Sequence, residues 1–470
     1  MTNPQVKLYN TLTRQVEEFK PIEAGKAKVY CCGPTVYDFQ HIGNFKTFIV
    51  ENLLVNTLKL AGYDVNFVMN ITDVGHLVSD ADAGEDKMMI ASKRENKKSH
   101  EIAKYYTDIF FDDWDKLKLV RPNTVCAATE HIKAMIDLIK IIEEKGFAYF
   151  SNGNVYFDVS KFKEYGKLAL LDVSKLKLGE SAAIDPNKRN PLDFVLWFTK
   201  SKFENHELLW ESPWGMGYPG WHIECSAMAM KYLGEKIDIH CGGVDHIPVH
   251  HTNEIAQAES ATGSKWVNYW MHSEFMLINQ EKMSKCTGKF IVLKDLINDG
   301  YDPIDYKMLV YGTSYRKQMN FSKESMDNAK RNVEKLKNAV LKFRSSDSTS
   351  PNLSENTKIY LEEFKQALFN DLNSPLAISI LWKVIDANNL TNLEKLTALY
   401  EFDRALCFGM KDWVEEKVSV PDNVQKLLEE RLVARQNKDW TKSDELRDKI
   451  KDFGFLVKDT AGVQEISLIK

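Results

Sequence analysis

Near the start of the chain, an alternation of side-chain character from one residue to the next gives way to a helical spacing of apolar residues. Residues 26–32 alternate in character and Gly33-Pro34 follows directly, which predicts a short strand closed by a turn. A helix ending near Gly62 is predicted next, because apolar residues then recur at three- and four-residue steps. These residues are Phe45, Phe48, Ile49, Leu53, Leu54 and Leu58. With a second strand predicted at 65–69, the pattern is the first half of a nucleotide-binding α/β unit, whose ligand lies at the helix N-terminus.

The second half of the chain is dominated by helical periodicity. From about residue 322 several helices are predicted, with Ser374-Pro375 starting one and a Thr391–Glu394 capping box starting the next. Their apolar stripes indicate a helical bundle with its own core. A last unit, from about residue 421, holds two more predicted helices and a short alternating tail.

The order of these patterns predicts the fold class α/β, a Rossmann-type parallel-sheet domain followed by an all-α bundle and a small C-terminal unit. Turn signals such as Asp185-Pro186-Asn187 indicate an insertion in the middle of the sheet domain, and the α/β pattern resumes near residue 237. The predicted ranges are the first half of the sheet domain at 1–115, the connecting insertion at 116–204, the second half at 205–265, a region around a second motif at 266–320, the bundle at 321–415 and the last unit at 416–470.

Composition supports a multidomain protein without a membrane span. The 470 residues are 44% hydrophobic and 27% charged, and no run approaches the roughly 18 apolar residues of a spanning helix. The amino terminus has no charged-then-apolar signal pattern, so we expect a cytoplasmic protein. Its seven cysteines then favour reduced thiols or metal ligands over a disulfide framework.

The net charge argues against binding nucleic acid by gross charge alone. There are 62 Lys and Arg against 67 Asp and Glu, a net charge of −5. Residues 323–344 are a local exception, with seven basic and three acidic side chains in a helical pattern. A solvated helix face explains that pattern as well as contact with nucleic acid does.

Two short motifs far apart in the chain carry candidate chemistry. His41-Ile42-Gly43-Asn44 stands at the predicted loop before the first helix, and Lys282-Met283-Ser284-Lys285-Cys286 lies about 240 residues downstream. Either motif alone is typical of a helix start or of a charged loop. Together, in this order, they resemble the two signatures of class I aminoacyl-tRNA synthetases.

That resemblance matches a physical need at both motifs. Attack of a carboxylate on the α-phosphate of ATP builds charge on phosphoryl oxygens, which positioned cations and N–H donors stabilise. His41 and Lys285 suit these roles, and Gly43 lets the backbone approach ATP closely. A loop around Ser284 is expected to close Lys282 and Lys285 over the triphosphate.

A second group of residues has metal-ligand chemistry. Cys32, Cys225, His250 and Glu254 are dispersed along the chain, but the last two lie four apart on one face of a predicted helix. The alternative is that the cysteines are small buried apolar residues and the other two a surface pair. The residues alone leave both interpretations open, because they lack the close spacing of a CxxC pair.

Four segments make the resemblance specific: CCGPTVYDFQHIGN, GYPGWHIECSAM, IHCGGVDHIPVHHTNEIAQAE and EKMSKCTGKF. They are similar to the successive motifs of the cysteinyl-tRNA synthetase family, nearly from end to end. The resemblance implies one Zn²⁺ per chain, held by Cys32, Cys225, His250 and Glu254. Zinc would bond the substrate thiolate and so select cysteine without an editing step.

Other positions carry over by resemblance. Trp221 is expected as a wall of the cysteine pocket, Thr35 near the amino acid, and Gly243 and Asp245 near the ATP ribose. The alternatives are a core tryptophan and turn residues. We expect the remaining histidines of these motifs to be structural or solvent-facing: His222, His246 and His251.

The C-terminal unit at 416–470 resembles an anticodon-binding unit. This places Arg435 and Trp440 near tRNA bases, since arginine bonds base edges and tryptophan stacks on bases; the alternative for Trp440 is helix packing.

The two signatures depart from the family pattern at two positions. Asn44 occupies the place of a second signature histidine, and Cys286 replaces a final serine. Asn44 is still expected among the catalytic and ATP-binding residues.

The resemblance implies a cysteine–tRNA ligase. L-cysteine and ATP would give cysteinyl-adenylate with Mg²⁺ assisting, and the cysteinyl group would pass to the 3′-terminal adenosine of tRNA(Cys). We expect a monomer that does not bind membranes. One alternative is a related cysteine ligase of thiol biosynthesis, which lacks an anticodon unit; another is a non-catalytic zinc- and tRNA-binding protein, which would have lost an ATP motif.

Overall fold

A computed structural model describes residues 4–75, 77–79, 83–171, 185–200, 208–278, 281–282, 290–345, 354–415, 420–460 and 463–468. The chain forms two compact units, Met1–Lys411 and Asp412–Lys470. Within the described ranges, no helix has both the length and the apolar character needed to cross a membrane. The finer division of the first unit into domains stays a prediction.

The first unit contains sixteen described strands and twelve described α-helices. The strands are β1 (Lys7–Asn10), β2 (Gln15–Glu18), β3 (Lys26–Cys31), β4 (Asp64–Ile71), β5 (Leu77–Ser79), β6 (Ala83–Asp86), β7 (Thr124–Ala127), β8 (Ala148–Ser151), β9 (Asn154–Phe157), β10 (Phe194–Phe198), β11 (Tyr218–Pro219), β12 (Ile237–Gly243), β13 (Val267–Ser273), β14 (Met276–Ile278), β15 (Glu281–Lys282) and β16 (Met319–Phe321). The helices are α1 (Ile42–Leu60), α2 (Lys87–Glu95), α3 (Ser99–Lys116), α4 (Ile132–Glu144), α5 (Trp221–Leu233), α6 (His250–Thr262), α7 (Leu293–Asn298), α8 (Pro303–Tyr311), α9 (Lys323–Arg344), α10 (Glu355–Phe369), α11 (Ser374–Asp386) and α12 (Asn392–Leu406).

A five-stranded parallel sheet forms the centre of the first unit. Its order is β13-β12-β3-β4-β7, and every neighbouring pair is parallel. The chain starts in the middle at β3, builds outward through β4 and β7, and returns to the other side of β3 with β12. Ligands of such open sheets bind where the strand order reverses, outside the carboxyl ends of the strands. That point lies between β3 and β12.

The predicted first α/β unit is confirmed in β3, α1 and β4. Helix α1 has nearly all of its residues buried between the sheet and the helical region, which explains its apolar periodicity. It ends at Leu60, and Gly62 adopts a φ of +89°, a left-handed conformation that glycine tolerates without strain. The predicted fold class, an α/β protein with a parallel sheet, is therefore confirmed.

A separate antiparallel sheet lies within the predicted insertion and just beyond it. Its order is β11-β10-β9-β8, so it spans residues 148–219 along the chain. The large apolar side chains of β10 are all buried, and Phe194 and Trp197 pack in the same core as the thiols of Cys32 and Cys225. The antiparallel sheet therefore packs in the core that also contains the two predicted cysteine ligands.

The helices α9 to α12 lie within the range predicted for the bundle, and α8 precedes that range. Ser322 caps α9, α11 begins at Ser374 with proline in its first turn, and Thr391 and Glu394 make the expected capping box of α12. Contacts between α1 and α12 join the bundle to the sheet domain. The bundle thus packs against α1, the helix at whose start the first signature lies.

The second unit contains α13 (Asp422–Gln436), α14 (Trp440–Asp452), β17 (Phe455–Thr460) and β18 (Val463–Leu468). Its core consists of buried residues from both helices and from β17: Val424, Leu428, Ile450 and Phe455. The predicted helix pair and the alternating tail are confirmed, and the tail pairs antiparallel with β17. Gly454 ends the second helix with a φ of +84°.

Candidate active site and metal centre

A cavity of about 550 Å³ opens where the strand order of the parallel sheet reverses. Cys32 follows the last residue of β3, and Gly243 ends β12, so both strands place cavity-lining residues at the same edge of the sheet. Gly33 makes the turn possible, because a Cβ there would lie 1.7 Å from the backbone oxygen of Asn70. The cavity is lined by most of the predicted site residues: Cys32, Thr35, His41, Gly43, Asn44, Trp221, Cys225, Gly243, Asp245 and His250.

Four predicted ligands meet at the base of this cavity. One ligand atom from each of Cys32, Cys225, His250 and Glu254 lies within 4.8 Å of the others, and all four residues are buried. The sulfur atoms of Cys32 and Cys225 are 3.9 Å apart, and His250 Nε2 lies 2.8 Å from Glu254 Oε1. Two sulfurs, an imidazole nitrogen and a carboxylate oxygen form a donor set that suits a transition-metal ion.

Opposite charges stabilise each other inside this cluster. Burial acts to raise the pKa of Glu254, but the imidazoles of His240 and His250 outweigh it and lower the pKa to about 2. Burial acts to lower the pKa of His250, yet Glu254 and Cys225 raise it to about 10. Hydrogen bonding from Cys32 lowers the pKa of Cys225, while burial raises that of Cys32. The cluster therefore stabilises separated charges in a largely buried position at the cavity.

Two further histidines adjoin the cluster and were not predicted to be there. His240 Nε2 lies 2.7 Å from Glu254 Oε2, and His251 Nε2 lies 3.3 Å from Cys32 Sγ. Both side chains are fully buried, so of the two alternatives expected for His251 the structure agrees with a structural histidine and not with a solvent-facing one. His240 is the fourth residue of the buried strand β12, where no local pattern marked it as a site residue.

His41 begins α1 in a capping box with Asn44. The Asn44 backbone N–H donates to His41 Nδ1 at 3.0 Å, and the His41 N–H donates to Asn44 Oδ1 at 3.2 Å. Because a backbone N–H can only donate, Nδ1 accepts and the neutral ring carries its proton on Nε2. Asn44 thus has a clear structural role: it satisfies one of the free N–H groups at the helix start.

The glycine between them allows close packing at the helix start. A Cβ at Gly43 would lie 3.1 Å from the His41 ring and 3.9 Å from Met276 Cβ, on the facing wall of the cavity. Gly243 and Asp245 line the cavity from β12 and the turn after it. The described residues among those predicted to bind ATP therefore line one space beside the N-terminus of α1.

Trp221 and Thr35 both line the cavity, and Trp221 lies beside the cluster. The Trp221 ring lies 4.5 Å from the ring of His250, measured between centroids, and it is the first residue of α5. Thr35 forms a parallel β-bridge with Thr72. Trp221 is thus partly exposed to the cavity and is no ordinary core tryptophan.

The second signature lies largely outside the described residues. Lys282 ends β15, but its side chain and all of Ser284, Lys285 and Cys286 are beyond what the structure describes. Their predicted roles stay predictions.

The two residues predicted to contact tRNA bases adjoin each other in the second unit. The Arg435 guanidinium lies 5.4 Å from the centroid of the Trp440 ring, and Trp440 is 56% exposed. Arg435 also pairs with Asp459 at 3.1 Å. The exposed tryptophan is not packed between helices, which was the alternative prediction.

Comparisons with known proteins agree with this architecture. Residues 18–331 match the family described as tRNA synthetases class I (C) catalytic domain, and residues 418–466 match the cysteinyl-tRNA ligase anticodon binding domain. A cysteine–tRNA ligase of Treponema denticola is 49% identical, with 97% of this chain and 98% of that protein covered. A cysteine–tRNA ligase of Borrelia hermsii is 41% identical at the same coverage.

Solved structures show the same fold at low identity. Methionyl-tRNA synthetase of Mycobacterium tuberculosis in complex with methionyl-adenylate superimposes with a TM-score of 0.57 and 14% identity, covering 81% of this chain and 89% of that one. The family match extends over most of the chain, and the relatives match it at both ends. The chain therefore belongs to the cysteinyl-tRNA synthetase family, the cysteine–tRNA ligases of class I.

Proposed function

We propose that this protein activates L-cysteine with ATP and transfers it to the 3′-terminal adenosine of tRNA(Cys). One observation carries the proposal: a buried cluster containing two thiols opens into the same cavity as the capped start of α1. A site for the substrate sulfur and a site for phosphates are thereby adjacent. The substrate carboxylate can then reach an α-phosphate from its own binding position.

We infer that the cluster holds one Zn²⁺ through Cys32, Cys225, His250 and Glu254. The donor set supports zinc, which binds cysteine sulfur, histidine nitrogen and carboxylate oxygen. When bound, zinc supplies a direct bond to a thiolate, and a serine hydroxyl is too weakly acidic to replace it cheaply.

The start of α1 suits the phosphates of ATP. His41 presents a ring whose proton sits on Nε2, a donor for a phosphoryl oxygen, while Gly43 allows the close approach of the nucleotide. Asn44 supports His41 through the capping box, so the missing second histidine is replaced by a residue that fixes the first one. Mg²⁺ would accompany ATP and offset its charge.

Other residues are assigned by their place around the cavity or by family resemblance. Trp221 and Thr35 would enclose the substrate cysteine, and Gly243 and Asp245 the ribose of ATP. The residues assigned to the triphosphate by resemblance alone are Lys282, Ser284 and Lys285.

For tRNA, we propose that the C-terminal unit reads the anticodon through Arg435 and Trp440. The exposed ring beside a guanidinium supports this role, since an unpaired base can stack on one and bond to the other. Membership of class I implies initial attack by the 2′-hydroxyl of the terminal adenosine.

We further propose that the protein is a cytoplasmic monomer. Light scattering of the purified protein would test the monomeric state.

Cysteine-dependent exchange of pyrophosphate into ATP tests the activation step. We expect exchange with L-cysteine and little with serine or methionine at equal concentrations. Serine tests the thiol and methionine tests the free sulfur, since a thioether cannot form a thiolate. Activity with methionine in place of cysteine would refute the proposed substrate.

A further inference from the structure

Lys46 is a buried cation that belongs to neither signature. It is the fifth residue of α1, two positions after Asn44, and its side chain is 1% exposed. Its Nζ donates to Ser273 Oγ at 3.0 Å and to the backbone oxygen of Glu274 at 2.5 Å. Both acceptors lie at the carboxyl end of β13, on the far edge of the parallel sheet.

The burial of this ammonium group is unfavourable unless hydrogen bonds compensate for lost water. Burial lowers the pKa of Lys46 to about 8, with Glu274 acting in the opposite direction. An apolar residue would fill the same space without that cost. The two hydrogen bonds to one strand end are therefore the specific property that lysine adds at this position.

That strand end forms one wall of the cavity. The residues from Ser273 to Met276 line it, and Met276 approaches Gly43 on the opposite wall. Lys46 reaches this wall from the helix that carries His41 and Asn44. A second contact holds the same helix start, since the Ile42 N–H donates to the backbone oxygen of Ile291 at 2.8 Å.

We propose that Lys46 is a positioning residue for ATP, because it fixes the spacing between the N-terminus of α1 and the wall formed by residues 273–276. The inference rests on the proposed function, which assigns this part of the cavity to the nucleotide. Lys46 acts through Ser273 and Glu274 and does not itself contact the substrate. The cysteine end of the cavity, beside Cys225 and His250, should not depend on it.

The test compares Lys46→Met, Lys46→Arg and Ser273→Ala in the full-length protein. Pyrophosphate exchange gives KM for ATP and for cysteine separately, calorimetry gives binding of ATP, and elemental analysis gives zinc content. We expect Lys46→Met to raise KM for ATP about tenfold, the size of effect that loss of a charged hydrogen bond produces. Zinc content and KM for cysteine should stay within about twofold of the wild-type values.

The other two variants distinguish positioning from simple packing. Lys46→Arg keeps donors for both acceptors and should recover most of the ATP affinity, while Ser273→Ala removes one acceptor and should give a smaller increase in KM for ATP. An unchanged KM for ATP in Lys46→Met would overturn the inference. Equal loss of ATP, cysteine and zinc binding in that variant, with a silent Ser273→Ala, would also overturn it. Wild-type protein without any exchange activity would instead refute the proposed function.

Discussion

At the scale of single residues, this site depends on side chains that stabilise each other away from water. Glu254 is fully buried and bonded to two imidazoles, and the thiols of Cys32 and Cys225 lie 3.9 Å apart. A buried charge without a partner costs several kcal/mol, so removal of one member leaves the rest unbalanced. The donor atoms gathered in this cluster are of the kinds that fit a metal ion.

Cys225→Ala tests the cluster as a metal centre. We expect zinc, about one per chain in the wild-type protein, to fall well below half in this variant, because one of four ligands is lost. Elemental analysis of purified protein measures it. Cys126→Ala is the matched control, since Cys126 is equally buried but is not one of the four proposed ligands. Unchanged zinc in Cys225→Ala would remove this residue from the site.

Asn44→Asp separates capping from catalysis. Aspartate keeps the acceptor for the His41 N–H and suits the positive end of a helix, so the melting temperature should stay close to that of the wild type. The added negative charge faces the proposed phosphate site, so kcat/KM for ATP should fall about tenfold or more. A variant with normal kinetics would show that Asn44 lies away from the phosphates.

At the scale of elements, Lys307 of α8 joins the sheet domain to the bundle. Its Nζ donates to the backbone oxygens of Leu117 and Cys407, which follow the ends of α3 and α12. Free carbonyls at helix ends attract cations, and here one ammonium serves two helices. One side chain thus links the residues that follow the ends of α3 and α12.

Lys307→Met should change the pH dependence of stability. Burial lowers the pKa of Lys307 to about 8, below that of the unfolded chain. The unfolded chain therefore keeps this proton between pH 8 and about 10.4, the native state does not, and the contribution of Lys307 to stability rises with pH in that window. Urea unfolding of both proteins from pH 7.5 to 10 measures the difference. A constant difference across the window would mean that Lys307 keeps its ordinary pKa.

At the scale of the whole molecule, the chain separates into two compact units with different chemistry. Met1–Lys411 contains the cavity and the cluster, and Asp412–Lys470 has its own small core and the exposed Trp440. We therefore assign the activation of cysteine to the first unit and the recognition of the tRNA anticodon to the second. A substitution in one unit should have little effect on the reaction that we assign to the other unit.

Deletion of residues 412–470 should spare pyrophosphate exchange and weaken tRNA charging by a large factor, because no part of the described cavity comes from those residues. Trp440→Ala in the full chain is the companion variant and should lower charging alone, by roughly tenfold if one stacked base is lost. Charging and exchange assays on the same preparations measure both effects. Equal loss of the two activities would indicate a structural role for the second unit.

The sequence by itself determined the local elements, because their signals act over a few residues. The strand, turn and helix around the first signature, the capping box of α12 and the helix pair of the second unit all followed from periodicity and caps. The four candidate ligands were named at the sequence level only through the family resemblance, because the residues alone left a metal site and buried apolar cysteines equally open.

Only the tertiary structure decided how these pieces meet. β3 and β12 are about 200 residues apart in the chain, and their parallel pairing brings Cys32 beside Cys225 and Glu254. Local periodicity contains no information about that pairing, because it depends on which buried faces fit one another across the whole domain. The same long-range packing placed His240 and His251 at the cluster and Lys46 at the end of β13, where the sequence patterns gave no warning of them.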